Sequence, residues 1–224
     1  MINVERIEVF NWEGAIRGMR NPLNSWEKSD SCSAYEHCWD CPHNNSNVCA
    51  DKEFYVGEND LALMKRLVSA GSDERKFMRQ ILVSLDINAP FYWWKEFSTY
   101  KVGTTANSCS TMHTLHTRDL VIGDFSHEHF SEPEKQMLEA IVEMINFNRK
   151  SYIETKDKKY WYRMIQLLPT SYNQTRTLTL NYEVLRNIYH ARKHHKLDEW
   201  REFCEVIEGL PYSELITMEA KVAK

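Results

Sequence analysis

Ala89 to His113, APFYWWKEFSTYKVGTTANSCSTMH, constrains this chain more than any other stretch. Four consecutive aromatics, Phe91-Tyr92-Trp93-Trp94, follow a proline and lead into small hydroxyl and amide side chains: Thr104, Thr105, Asn107, Ser108, Ser110 and Thr111. Two readings fit. In one, the aromatics form a core helix that runs into a solvated Ser/Thr loop. In the other, the rings offer a stacking platform to a flat ligand, and the polar run offers donors to a phosphate or a pyrimidine edge.

Pattern surrounds this stretch with helices and strands. Val4 to Phe10 alternates as a strand, and Leu82 to Ile87 and Arg176 to Leu180 do the same. Ala15 to Trp26, with Gly18 and Pro22, reads as a turn or short helix end carrying solvated Arg17 and Arg20. Asn59 or Asp60 caps a helix to Ala70 with Leu61, Met64, Leu67 and Val68 on one face, stopped at Gly71. Pro90 opens the helix that carries the aromatic block. His116 to His129 is polar, and Asp124, His127 and His129 match no defensible metal spacing, so a solvated loop is expected. Ser131 and Glu134 form a capping box. The helix behind it points Met137, Leu138, Ile141, Val142 and Ile145 inward. Tyr160 to Leu168 is a helix ended by Pro169, and Asn181 caps another from Tyr182 to Arg192. There Leu185, Ile188, Tyr189 and Arg192 share one face. An arginine at the tip of an apolar stripe needs a partner, which is either an internal carboxylate or a bound anion. The last helix, Asp198 to Glu208, buries Trp200, Phe203, Cys204 and Ile207, which makes Cys204 a core thiol.

Charge and cysteine usage narrow the classes. A net charge of -4 argues against a general nucleic-acid binder. No apolar run reaches the roughly 18 residues a membrane span needs. The N-terminal MINVERIEVFNWEG has no apolar core of a signal peptide, so a cytoplasmic location is expected. Cys32, Cys38, Cys41 and Cys49 are spaced x5, x2 and x7. The central C-x2-C is half of a common zinc site, but neither outer cysteine belongs to such a pair. A structural zinc clip, free thiols on a loop, and a disulfide all remain open. The chain is expected to be one domain, 1–224, with this Cys-rich insert at about 30–52. No P-loop, G-x-G-x-x-G or internal repeat is present.

Leu168-Pro169, Asn181 twelve residues on, Leu185 and Arg192 fall without a gap on a segment of the flavin-dependent thymidylate synthases, and Glu199-Trp200-Arg201 resembles that family's E-x-R helix. Leu61 to Gly71 is similar to its leucine-rich helix, and Leu85 to Pro90 to the strand before its signature. Tyr100 to Thr104 and Asn107 to His113 fall on the signature HRxxSxNExSxRY with one inserted residue. The resemblance spans Asp60 to Pro211, about two thirds of the chain. Tyr100 and Lys101 stand for the signature His-Arg, Ser108 for its glutamate and Met112 for its second arginine. The upstream G-H-x-S-x-F-E-H element keeps its glycine, as Gly71, and loses both histidines.

This resemblance implies an α/β (α+β) fold, a central mostly antiparallel sheet flanked by helices, in a homotetramer whose subunits share active sites. It implies transfer of a methylene from methylene-tetrahydrofolate to dUMP, with hydride from FAD refreshed by NADPH. Arg192 would anchor the nucleotide, with Asn107, Ser108 and Ser110 lining it. Lys101, Thr104 and Arg79 would contact the flavin, although a lysine cannot reproduce an arginine fork. No catalytic residue is assigned. Three functions stay open: a divergent enzyme that still alkylates a pyrimidine nucleotide, a non-catalytic nucleotide or partner binder on the same scaffold, and a small zinc-clipped interaction protein.

Overall fold

The computed structural model describes residues 2–33 and 54–219. Its centre is an antiparallel sheet in the order β1-β4-β6-β5, from β1 (Asn3–Phe10), β4 (Leu82–Pro90), β6 (Asn173–Asn181) and β5 (Thr105–Ser108). A two-stranded pair, β2 (Cys32–Ser33) and β3 (Phe54–Tyr55), lies apart from it. The helices are α1 (Trp12–Arg20), α2 (Glu58–Ala70), α3 (Phe91–Phe97), α4 (Thr111–Thr114), α5 (Glu132–Thr155), α6 (Lys158–Leu167), α7 (Tyr182–Arg192), α8 (Asp198–Glu208) and α9 (Glu214–Thr217).

Strict alternation along β4 and β6 makes the sheet two-faced. Val83, Leu85, Ile87, Leu178 and Leu180 are buried in the main core with α1, α2, α3, α7 and α8. The opposite face keeps polar cross-strand pairs: Thr177 Oγ1 donates to Asp86 Oδ1 (2.6 Å), and Asn88 Nδ2 to Thr175 Oγ1 (2.8 Å). A second, smaller core gathers Leu115, Leu120 and Phe125 against Leu138, Val142 and Ile145 of α5 and Met164 of α6.

The caps are where the sequence places them for α5 and α7. Ser131 and Glu134 form the capping box, and the Asn181 side chain accepts from Val184 N at 3.0 Å. Other expectations change. Of the turn or short helix end expected over 15–26, the structure has the helix end, since α1 runs from Trp12 to Arg20, but Arg20 is not solvated: it is 4% exposed and paired with Asp60. Asp60 therefore does not cap α2, whose N-cap is Gly57. Met137 is exposed, whereas Leu138, Val142 and Ile145 are buried in the second core and Ile141 packs against it half-buried. Part of the expected Ser/Thr loop is strand β5, an edge with no buried residue.

Of the two readings of the aromatic block, the core reading holds. Trp93 and Trp94 are buried and meet at 4.9 Å between centroids. Trp93 also packs on Trp200 at 4.8 Å and on Phe203 at 5.7 Å. Such pairs add about 0.5–1.5 kcal/mol each beyond area burial.

Candidate functional site

The segment from Tyr100 to Ser108 runs along α7 and then along β6. At one end Tyr100 receives a hydrogen bond from Arg192 Nε (2.9 Å). At Gly103, whose φ is +78°, an added Cβ would lie 3.1 Å from Val184 Cγ2 and 3.2 Å from Asn181 Nδ2. The chain therefore passes close over the first turn of α7 in a conformation that suits glycine. Beyond it, Thr105 to Ser108 pair with Thr179 to Arg176.

Two arginines bracket this strip, each laid on a tryptophan. Arg192 lies 4.7 Å over the Trp200 ring, and its Nη1 donates to Glu96 Oε2 at 2.9 Å. The same carboxylate oxygen accepts Trp200 Nε1 at 3.0 Å, with His195 Nε2 3.6 Å away. Of the two partners expected for Arg192, the structure supplies the internal carboxylate. Its Nη2 has no hydrogen bond among the described residues.

Arg176 lies 4.3 Å over the Trp94 ring and donates through Nε to Gln174 Oε1 at 3.0 Å. Gln174 is itself buried and fixed, since its Nε2 donates to the Cys109 carbonyl at 2.7 Å. No carboxylate meets Arg176 among the described residues, and burial pulls its pKa below the usual arginine value. Sequence reading passed over this side chain. The signal was present: alternation puts Arg176 on the same face as Leu178 and Leu180, the argument already applied to Arg192.

The remaining candidates do not converge on one cavity. Directly opposed residues of an antiparallel pair share a face. Ser108, opposite Arg176, therefore faces the helix side, while Asn107, opposite Thr177, faces the open side. Ser110 follows β5 and precedes α4, where its carbonyl accepts from Thr114 N at 2.9 Å. Thr104 Oγ1 is buried with no hydrogen-bond partner among the described residues. Lys101 is exposed nearby, and Arg79 is exposed at the end of the 3-10 turn Arg75–Arg79. Thr104 is tied to the exposed Lys101 through the backbone, Thr104 N donating to the Lys101 carbonyl at 3.3 Å.

Glu199-Trp200-Arg201 is tied into the scaffold. Tyr92 OH hydrogen-bonds buried Glu199, and burial followed by that carboxylate raises the tyrosine pKa. Arg201 donates to the His195 carbonyl at 2.9 Å and pairs with Asp198. Cys204 is buried, and burial first among its causes pushes its thiol up to about 11. Asp124 pairs with Arg118, His127 Nδ1 meets the Phe125 carbonyl and His129 faces Asp198. Cys32 lies in β2, whereas Cys38, Cys41 and Cys49 fall outside the described residues. Among the described residues, no group of three or more His, Cys, Asp or Glu could hold a metal ion. No helix among them is long and apolar enough to cross a membrane.

No protein-family model and no curated protein matches the sequence. Solved structures do. Thymidylate synthase X from Helicobacter pylori with FAD and dUMP matches at 15% identity over 98% of both chains, with a TM-score of 0.62. A second structure of the flavin-dependent thymidylate synthase ThyX from Helicobacter pylori, complexed with FAD and dUMP, matches at 15% identity over 96% of this chain and 98% of that one, at 0.60. A UMP/dUMP methylase from Streptomyces cacaoi bound with 5-Br UMP matches at 14% over 93% of this chain and 88% of that one, at 0.54. At such identities the likeness is one of fold, and the expected α/β fold with an antiparallel sheet is confirmed.

Proposed function

We propose that this chain binds a pyrimidine deoxynucleotide of the dUMP type and uses a flavin for its reductive methylation. The reading starts from a fold it shares along almost its whole length with flavin- and dUMP-bound synthases. The observation that carries it is the strip from Tyr100 to Ser108, bracketed by two arginines on aromatic faces. On this reading Ser108 lines the nucleotide with Ser110 following it, Asn107 stays on the open face of the sheet, and Arg192, with its charge answered by Glu96, offers its Nη2 to the nucleotide. Lys101, Thr104 and Arg79 would hold FAD, which supplies hydride when bound. NADPH and methylene-tetrahydrofolate are the co-substrates this chemistry requires. A non-catalytic nucleotide binder is the second reading. It is favoured by Ser108 and Met112 standing where the signature has a glutamate and an arginine.

The purified full chain separates the two. A flavin absorbance spectrum together with a dUMP-dependent rise in melting temperature is expected for the enzyme. A ligand at a hundred times its Kd stabilises by about 2.7 kcal/mol. Colourless protein that dUMP still stabilises fits the binder. Colourless protein that ignores dUMP ends both readings.

Assembly with further copies of the chain belongs to the same proposal. Met137, Met144 and Phe147 are all more than half exposed, at i, i+7 and i+10 of α5. This spacing puts them on one side of the helix, and a second copy is the proposed occupant. Met144→Glu with Phe147→Lys is expected to shift the chain from tetramer to smaller species in light scattering. An unchanged mass would place the contact elsewhere.

A further inference from the structure

We propose that Arg176, laid on Trp94 with the Ser108 hydroxyl beside it, is the residue that receives the phosphate of the bound nucleotide. This rests on the nucleotide reading above and assigns the ligand's charge to a side chain outside the recognised motifs.

The other arginines with little exposure already have partners. Arg20 meets Asp60, Arg75 meets Glu183 and Arg192 meets Glu96. Arg186 donates to the carbonyls of Ile216 and Leu215 at 2.8 and 3.4 Å. Arg176 has one hydrogen-bond partner among the described residues, the neutral Gln174. Arg176 is half-buried and meets no counter-charge among the described residues, and a partly desolvated cation favours a bound anion.

The orientation suits a tetrahedral anion. Gln174 takes Nε, and Trp94 takes one face of the guanidinium, so the side chain is fixed without using its outer fork. Nη1 and Nη2 have no hydrogen bond among the described residues. A planar fork of two parallel N–H groups matches phosphate oxygens. Ser108 is the direct cross-strand partner of Arg176, is exposed, and makes no hydrogen bond through its hydroxyl among the described residues. Opposed Cβ atoms stand about 4.5–5.5 Å apart, within reach of one phosphate group. Among the described residues β5 is the edge of the sheet, and no further strand pairs beyond it.

Calorimetric titration of the full chain with dUMP, deoxyuridine and inorganic phosphate tests this. The wild type is expected to prefer dUMP over deoxyuridine. Arg176→Gln should weaken dUMP about ten- to a hundred-fold, as for loss of a charge-assisted hydrogen bond, and leave deoxyuridine unchanged. Arg176→Lys should fall between, since it keeps charge and loses the fork. Circular dichroism checks folding. If Arg176→Gln does not fold, Ser108→Ala, at an exposed position, must weaken dUMP measurably and spare deoxyuridine. Unchanged dUMP affinity in the folded variant, or equal loss for dUMP and deoxyuridine, overturns the assignment while leaving nucleotide binding standing. A wild type that binds none of the three ends the nucleotide reading and this inference together.

Discussion

Asp60→Ala is expected to lower folding stability by about 3–5 kcal/mol, the range for breaking a buried ion pair from one side. Asp60 is fully buried, and its Oδ1 accepts Arg20 Nε at 2.6 Å. Its Oδ2 accepts Ser29 Oγ, Ser31 Oγ and Asp30 N at 2.7, 2.6 and 3.2 Å. Arg20 in turn donates to the carbonyls of Ser25 and Lys28 at 3.2 and 3.0 Å. One carboxylate therefore pins the 25–31 segment to both α1 and α2. Removing it leaves a buried guanidinium without a counter-charge and two hydroxyls without an acceptor. Burial works to raise the Asp60 pKa, but the hydrogen bonds from Ser31, Ser29 and Arg20 outweigh it and hold the carboxyl below its usual 3.8. A depressed folded pKa gives stability that is fully present above 3.8 and is lost as pH falls through the folded value. Urea titrations near neutral pH and below 3.8 check both statements. The wild type should lose its margin over Asp60→Ala at the acid end. A deficit below about 1 kcal/mol at neutral pH, of the size of an exposed pair, would mean that Arg20 finds another partner.

That network also marks where sequence reading stops. Local grammar was enough for Ser131 with Glu134, for Asn181, and for the alternation of β4, because each depends on neighbours within a few residues. Arg20 and Asp60 are forty positions apart, and nothing near Arg20 announces a buried partner. Gly18 and Pro22 fit a turn or short helix end over 15–26, and burial of Trp12, Ala15, Ile16 and Met19 is what extends the helix back to Trp12. Strand β5 has no apolar alternation to detect, since an edge strand open on both faces buries nothing. The site was half legible for the same reason. An arginine ending a helical stripe is conspicuous, whereas one inside RTLTL looks like an outward strand residue until Leu178 and Leu180 fix which face is inward.

Trp200→Ala is expected to cost about 3–5 kcal/mol as a large-to-small core change, and its effect reaches the candidate site. Trp200 is fully buried, stacks on Phe97 at 11° between planes and meets Trp93 at 4.8 Å. It also supports Arg192 from below and donates Nε1–H to the Glu96 oxygen that holds Arg192. Truncation thus removes the platform and one of the donors that fix the Glu96–Arg192 pair. Trp200→Phe divides the two roles: it keeps a ring beneath the guanidinium and deletes the N–H, a loss of about 1.5–3 kcal/mol for a bond to a charged group. Denaturant unfolding of both variants gives the stability terms, and dUMP titration of the folded fraction gives the site term. If dUMP affinity drops in Trp200→Ala and is kept in Trp200→Phe, the ring positions Arg192 for the ligand. If stability falls as stated while both variants bind dUMP like the parent, Arg192 belongs to the scaffold alone, and Arg176 is left as the cation of the strip.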